Sequence, residues 1–342
     1  MERKVLIKKI KSNLTPKYIK IKRNYTWQLD LFNFLIEIVD KDNYSGDFDA
    51  LKERPKTGFI KNYKKLYQIY ADKNKDILAH VKDTTKLKPT TNKFLRRFQL
   101  RLMSFIKEVD AFFTENNLEY FLMGGSLLGA IRHHGFIPWD DDIDIGMMRK
   151  DYEKLKQLLR QNFAGADISK MSNAKENGQK VVDKLIKKNK NKWCYYIGPK
   201  YIQIYKGVNE KSTAFVDIFP HDYYRDDYTP EEFDKYTLQM HKEYVKLDNY
   251  KKIMEFFDNE RKNNPNIVEF SNTIYYGVDC YTAYWKRHDR FMTHDMIFPL
   301  KRTKFEDGEL LIPNKADEYM SFEYSDYMKM PEKLGLPPKA YR

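Results

Sequence analysis

Cysteine is nearly missing from this sequence: Cys194 and Cys280 are the only two in 342 residues. Two thiols so far apart cannot form a zinc site by themselves, and they make no disulfide framework. Long apolar runs are missing too. No stretch approaches the ~20 apolar residues of a membrane-spanning helix, and no signal-peptide core follows the basic N-terminus. A reducing, cytoplasmic location is the expectation. No internal repeat is evident, and residues 1–90 carry no chemical motif. Acids are in deficit: 49 Asp and Glu against 62 Lys and Arg leave a net charge of +13. That balance suits polyanionic partners such as nucleic acid, anionic lipid or phosphate-rich substrates, without choosing among them. Hydrophobic residues at 42%, with aromatics at 15%, are enough for a sizeable core. The length fits one large or two modest domains.

One segment stands out, Tyr120 to Gly146, reading YFLMGGSLLGAIRHHGFIPWDDDIDIG. Tyr120-Phe121-Leu122-Met123 has the length and aromatic content of a buried strand. Gly124-Gly125-Ser126 breaks it, and Leu127 to Arg132 reads as a short helix. A Gly-Gly-Ser turn between strand and helix lets backbone N–H groups approach a phosphate at the positive end of the helix. Pro138-Trp139 then leads into Asp140, Asp141 and Asp142, followed by Ile143, Asp144 and Ile145. In a strand Asp142 and Asp144 share one face while the two isoleucines enter a core. Two carboxylates about 6–7 Å apart along a strand, facing a phosphate-binding turn, suit a hard cation such as Mg²⁺, with Mn²⁺ as substitute. A solvated turn with a tight glycine bend is the plainer explanation of a lone Asp-x-Asp; the working order of strand, turn, helix and acids argues for the site.

Around this segment the chain reads as follows. Residues 1–24 hold nine Lys or Arg against Glu2 alone, as in a membrane-surface arm or a frayed basic edge. Tyr25–Val39 is ambiguous between helix and strand, Lys41–Gly58 reads as a polar loop, and Lys61–Val81 as a helix. A boundary is expected near residue 90, with residues 1–90 a basic N-terminal region and 91–342 the catalytic domain. Asn92 caps a long amphipathic helix through Phe98, Leu102, Phe105, Ile106, Val109, Phe112 and Phe113, which Asn116-Asn117 ends. Met147–Phe163 reads as another helix. Tyr201–Tyr205 alternates like a strand, and Thr213–Phe219 is a second one, ending at Pro220. Asp217 lies inside that apolar run, where an isolated carboxylate costs several kcal/mol unless paired or metal-bound. It is either an edge or ion-paired acid or a third metal ligand beside Asp142 and Asp144, and a two-Asp site lacking a third ligand favours the latter. Thr229-Pro230 opens a helix to Lys246. The aromatics of residues 248–298, including Tyr275, Tyr276, Tyr281, Tyr284 and Trp285, suit core packing or a platform for a base or sugar. Leu310–Asn314 suggests a hairpin with the residues before it.

The central segment resembles the signature of the LicD family, relatives of fukutin and the fukutin-related protein. The resemblance extends through Arg97-Phe98-Gln99-Leu100, Val216-Asp217-Ile218-Phe219-Pro220 with Asp222, Phe298-Pro299-Leu300, Phe305-Glu306, Pro313-Asn314 and Tyr324/Asp326-Tyr327-Met328, so it covers about residues 92–331. His221 and Ser325 depart from it, replacing a usual apolar residue and a common glycine. The resemblance implies an α+β, nucleotidyltransferase-like fold: a mixed β-sheet core flanked by helices, with N-terminal and C-terminal additions. It also implies transfer of phosphocholine, or a related phospho-alcohol, from CDP-choline or another CDP-alcohol. The acceptor would be a glycan or lipid-linked glycan of teichoic acid or lipopolysaccharide type. By position, Asp142, Asp144 and Asp217 would hold Mg²⁺, and Gly125 and Ser126 the phosphate, with Gly124 also assigned to the substrate.

Expected chemistry is in-line attack by an acceptor hydroxyl with CMP leaving and one of Asp142, Asp144 or Asp217 as the proton acceptor, Asp217 being preferred. Arg132 is a phosphate clamp or a helix-end arginine. Trp139 is a stacking partner for cytosine or for the choline cation, or else a buried hinge. Asp141 is assigned to the substrate. Peripheral membrane contact through the basic N-terminus, at the inner face of the membrane, goes with this reading, and no specific nucleic acid does. A nucleotidyltransferase moving an NMP from an NTP is the near rival. A basic nucleic-acid-binding protein is the distant one, and the clustered acids oppose it by repelling a phosphate backbone.

Overall fold

The computed structural model describes residues 16–53, 55, 63–170, 178–208, 213–247, 249–280 and 288–331. The chain divides into two compact units, Met1–Arg96 with Met328–Arg342, and Arg97–Tyr327. In the first, α1 (Pro16–Ile38) settles the ambiguity at Tyr25–Val39 in favour of helix. It packs on α3 (Tyr63–His80), with Leu35, Ile38 and Ile77 fully buried. Phe32 meets Tyr70 at 5.3 Å between ring centres, and Asn74 Nδ2 donates to the Gln28 carbonyl at 2.9 Å. The expected loop at Lys41–Gly58 contains a short helix, α2 (Phe48–Lys52). Asp47 caps it by accepting from the N–H groups of Asp49 and Ala50, a stabilisation of about 1 kcal/mol. The basic arm of residues 1–15 lies outside the described residues. No described helix is long and apolar enough to cross a membrane.

The second unit is a mixed sheet flanked by helices. Its elements in order are α4 (Lys93–Glu115), β1 (Phe121–Leu122), α5 (Gly124–His133), β2 (Asp144–Met148), α6 (Arg149–Asn162) and β3 (Ala164–Asp167). Next come α7 (Gly178–Lys188), β4 (Trp193–Ile197), β5 (Ile202–Lys206), β6 (Ala214–Tyr224), α8 (Pro230–Tyr244) and α9 (Tyr250–Asn263). The chain continues with β7 (Ile267–Val268), β8 (Thr273–Tyr276), β9 (Met292–Thr293) and α10 (His294–Ile297), and then β10 (Lys301–Phe305), β11 (Gly308–Ile312) and α11 (Ala316–Tyr324). The main path of the sheet runs β1-β2-β6-β5-β4-β3, and β10 and β11 form the expected hairpin. β1 is antiparallel to β2, β2 parallel to β6, and β6 antiparallel to β5.

Periodicity explains most of these elements. Asn92 Oδ1 accepts from the N–H groups of Phe94 and Leu95, capping α4 as its sequence suggests. Leu102, Ile106, Val109 and Phe113 of α4 are fully buried. Asn117 takes a left-handed conformation at φ 50° and turns the chain out of that helix. Thr229 and Glu232 form a capping box at the start of α8. Tyr275 and Tyr276 pack in the core, while Tyr281, Tyr284 and Trp285 lie outside the described residues.

β6 differs from its expected end at Pro220, because it continues to Tyr224. The reason is where the missing N–H would point. Asp217 N–H donates toward β2, to the Ile143 carbonyl, so residues of opposite parity, Pro220 among them, direct their backbone groups to the other edge. There β5 stops opposite Ile218 and β8 begins opposite His221. Pro220 sits in that gap, where no ladder donor is required.

The far end of the sheet is held by Arg149. Its guanidinium makes two forked ion pairs, with Asp222 at 2.8 Å and with Asp279 at 2.7 and 2.9 Å. Burial alone opposes the charge on Asp279, but Arg149 holds its carboxyl below the usual range. We predict that Arg149→Leu, which strands two buried carboxylates, costs about 3–5 kcal/mol by urea denaturation. The Asp279 share has a defined sign. A depressed carboxylate pKa stabilises above the ordinary aspartate value of about 3.9, and the contribution is lost as pH falls below it. Acid unfolding of the wild type should therefore be steeper there than that of the variant.

Candidate active site

Register brings the first two acids together. Asp144 is the direct partner of Asp217 across the β2–β6 pair, and paired residues in a sheet project to the same face. Neighbouring strands lie about 4.8 Å apart, so the two carboxylates can share one cation. Ile143, Ile145 and Ile218 point the opposite way and are fully buried. Each such side chain adds about 1.5–3 kcal/mol, which ties the acids to the exposed side. Asp142, expected in the strand with Asp144, instead precedes it, because β2 begins at Asp144.

The Gly-Gly-Ser segment is not a turn before the helix but its first turn, since α5 starts at Gly124. Gly124 has φ +54°, which only glycine adopts at little cost. The same end of α5 faces the acids. A methyl group on Gly124 would lie 3.7 Å from Asp144 Oδ2 and 3.8 Å from the Tyr324 hydroxyl, and one on Gly125 only 2.8 Å from Asp140 Oδ2. Ser126, buried, accepts the Asp144 N–H on its Oγ at 2.9 Å, so it locks β2 to the helix. The N-terminal N–H groups of α5 and its dipole favour negative charge at this point.

Asp140, Asp141 and Asp142 gather their oxygens within 4.8 Å of one another. Burial, then the charge and hydrogen bond of Asp142, push the Asp140 carboxyl well above the ordinary range. A carboxyl raised in this way is one whose charged form a bound cation would stabilise. The donors are carboxylate oxygens, with neither thiolate nor imidazole, which fits a hard divalent ion such as Mg²⁺ or Mn²⁺. Gln99, buried in α4, donates to the carbonyls of Ile137 and Asp140 at 3.3 and 2.9 Å and holds this loop. From the β10–β11 hairpin, Glu306 accepts the Phe136 N–H on its carboxylate, and its own N–H donates to the His134 carbonyl.

Other residues singled out in the sequence fall as follows. Asp141, assigned to substrate, lies within the acid cluster. Trp139 is half-buried and packs against the core. Arg132 is in the last turn of α5, about 12 Å along the axis from Gly124. It is buried, with Nη1 donating to the Tyr327 carbonyl at 2.8 Å and Nε directed at His133 Nε2 at 3.0 Å. Burial lowers its pKa to about 10, with Tyr324 opposing. Its fork therefore holds the closing Tyr324–Tyr327 segment. Burial, with Arg132 and His134 beside it, drives His133 down to about 3, so it stays neutral. His221 is fully buried and likewise falls to about 3.

Sequence reasoning missed four groups at the site. Asp140 was within the acidic run, and its parity with Asp142 was the available signal. Gln203, on β5, donates from Nε2 to Asp217 Oδ1 at 2.6 Å; a polar residue alternating within YIQIY was the clue. Tyr201 is pushed up to about 12 by burial and by the nearby Asp217 and Asp144. Tyr324 is raised by burial, Glu323 and then Asp144, Asp140 and Asp142.

Fold and site together set a helix N-terminus beside paired sheet acids suited to a divalent cation. Residues 117–251 match the model of the LicD/FKTN/FKRP nucleotidyltransferase domain, and this part of the chain is a domain of that family. The chain is similar to the lipopolysaccharide cholinephosphotransferase LicD of Haemophilus influenzae, 47% identical over 60 residues, or 18% of this chain and 23% of that protein. It is similar to the uncharacterized protein RP689 of Rickettsia prowazekii, 47% identical over 62 residues, 18% of this chain and 23% of the relative. Human ribitol 5-phosphate transferase FKRP is 51% identical over 41 residues, 12% of this chain and 8% of that protein. The matched stretches span less than a quarter of the length of these relatives.

The contact between Gly125 and Asp140 gives a test. Gly125→Ala should displace the Asp140 carboxylate and weaken Mn²⁺ binding by about tenfold, with the melting temperature near wild type. Undiminished Mn²⁺ affinity by titration calorimetry would remove Asp140 from the site.

Proposed function

We propose that this protein catalyses Mg²⁺-dependent transfer of phosphocholine, or a related phospho-alcohol, from a CDP-alcohol to a hydroxyl of a cell-surface glycan, releasing CMP. The acceptor would be of the teichoic acid or lipopolysaccharide type, free or lipid-linked. The observation that carries this reading is the register pairing of Asp144 with Asp217 beside the N-terminal turn of α5. Similarity to a lipopolysaccharide cholinephosphotransferase and to a ribitol 5-phosphate transferase supports the donor class.

In this scheme the N–H groups of Gly124 and Gly125 hold the donor pyrophosphate at the positive end of α5. Ser126 Oγ accepts from Asp144 N–H, so its own hydroxyl hydrogen is directed elsewhere and can donate to a phosphate oxygen. Asp142, Asp144 and Asp217 are the ligands of the cation, with Asp140 and Asp141 completing the anionic wall. When bound, the cation neutralises the pyrophosphate and the charge growing on CMP. Asp217 accepts the proton of the attacking hydroxyl. Trp139 contacts the cytosine or the alcohol head. A cytoplasmic location, with the basic N-terminus against the inner membrane face, belongs to the same proposal.

A second reading, transfer of an NMP from an NTP, has the family description of the matched domain in its favour. Incubation with CDP-choline, other CDP-alcohols and NTPs, each with Mg²⁺ and a mixed glycan acceptor, separates the two. Release of CMP supports the phospho-alcohol reading; release of pyrophosphate supports its rival. Asp142→Asn and Asp144→Asn should each lower turnover by at least about a hundredfold with an unchanged circular dichroism spectrum, and near-normal turnover in either would sink the scheme.

A further inference from the structure

Gln203 is the register partner of Asp217, and Tyr205, two residues along β5, faces the same side of the sheet. Gln203 Nε2 donates to Asp217 Oδ1 at 2.6 Å, and the Tyr205 hydroxyl donates to Gln203 Oε1. A primary amide has one donor end and one acceptor end, and these two bonds engage one each. The carboxylate, which only accepts, takes the donor end, and the tyrosine hydroxyl braces the acceptor end in that orientation. Turned about, the amide would set its carbonyl oxygen against an anion. Tyr205 is buried, and burial followed by the charge of Asp217 pushes its phenol well above the ordinary value, so it remains a donor.

We propose that Gln203 and Tyr205 are positioning residues for the metal site: Tyr205 sets the amide of Gln203, and Gln203 aims the Asp217 carboxylate across the strand boundary toward Asp144. This rests on the reading of Asp217 as a metal ligand. A neutral amide suits the task. Lysine or arginine at this position would also orient Asp217 but would cancel the charge that a divalent cation needs. Ser126 does the corresponding work on the other acid, gripping Asp144 by its backbone N–H. Outer partners of this kind commonly change metal affinity by about 10–100-fold when removed.

The test is Mn²⁺ binding to the full chain, read from the electron paramagnetic resonance signal of free Mn²⁺, with neither donor nor acceptor present. Gln203→Met keeps the side-chain length and removes the amide; Tyr205→Phe removes one hydroxyl. Each should raise the Mn²⁺ dissociation constant by about tenfold. The double variant should be no weaker than Gln203→Met, because Tyr205 acts through Gln203. Thermal unfolding checks the fold, and Tyr205→Phe alone decides the matter should Gln203→Met not fold. Wild-type affinity in a folded single variant, or additive losses in the double variant, overturns the positioning chain. A wild type that binds no Mn²⁺ overturns the metal-site reading itself, and the positioning roles with it.

Discussion

Parallel pairing of β2 with β6 is the constraint on which the rest of the site depends. It sets Asp144 opposite Asp217, and it does so because Ile143, Ile145, Val216 and Ile218 fill the opposite side of the same two strands. A slip of one residue would turn an acid into the core and an isoleucine out of it. The hydrophobic effect thus fixes a polar geometry. Several buried apolar side chains, each contributing about 1.5–3 kcal/mol, hold two like charges at a separation they would not choose unaided.

Neutral groups and a helix end meet part of that repulsion. Gln203 donates to Asp217, Ser126 takes the Asp144 N–H, and the first turn of α5 presents its positive end. Arg149 neutralises two buried acids away from the site: Asp222, five residues along β6 from Asp217, and Asp279. Arg132 is occupied by the closing segment through the Tyr327 carbonyl. Burial first, and then the neighbouring Asp142 and Asp141, raise the Asp140 carboxyl.

Much of this was legible in the chain. Strand, glycine turn, helix and acids follow one another in the order their chemistry needs, and the one acid inside TAFVDIF was identifiable because a buried carboxylate is costly. Helices α4, α6 and α8 follow from apolar spacing and caps. Other features depend on tertiary geometry. β6 runs through Pro220 only because its neighbour changes there from β5 to β8. Asp142 lies just before the strand, after a loop that Gln99 and Glu306, remote in sequence, hold. Gln203 and Tyr205 look like ordinary strand residues until register sets them against Asp217.

Anomalous scattering from crystals grown with Mn²⁺ tests the central claim most directly. The account predicts a peak within about 2.3 Å of carboxylate oxygens from Asp142, Asp144 and Asp217, facing the first turn of α5. Manganese held by Asp140, Asp141 and Asp142 alone, with Asp144 and Asp217 outside its coordination shell, would contradict it.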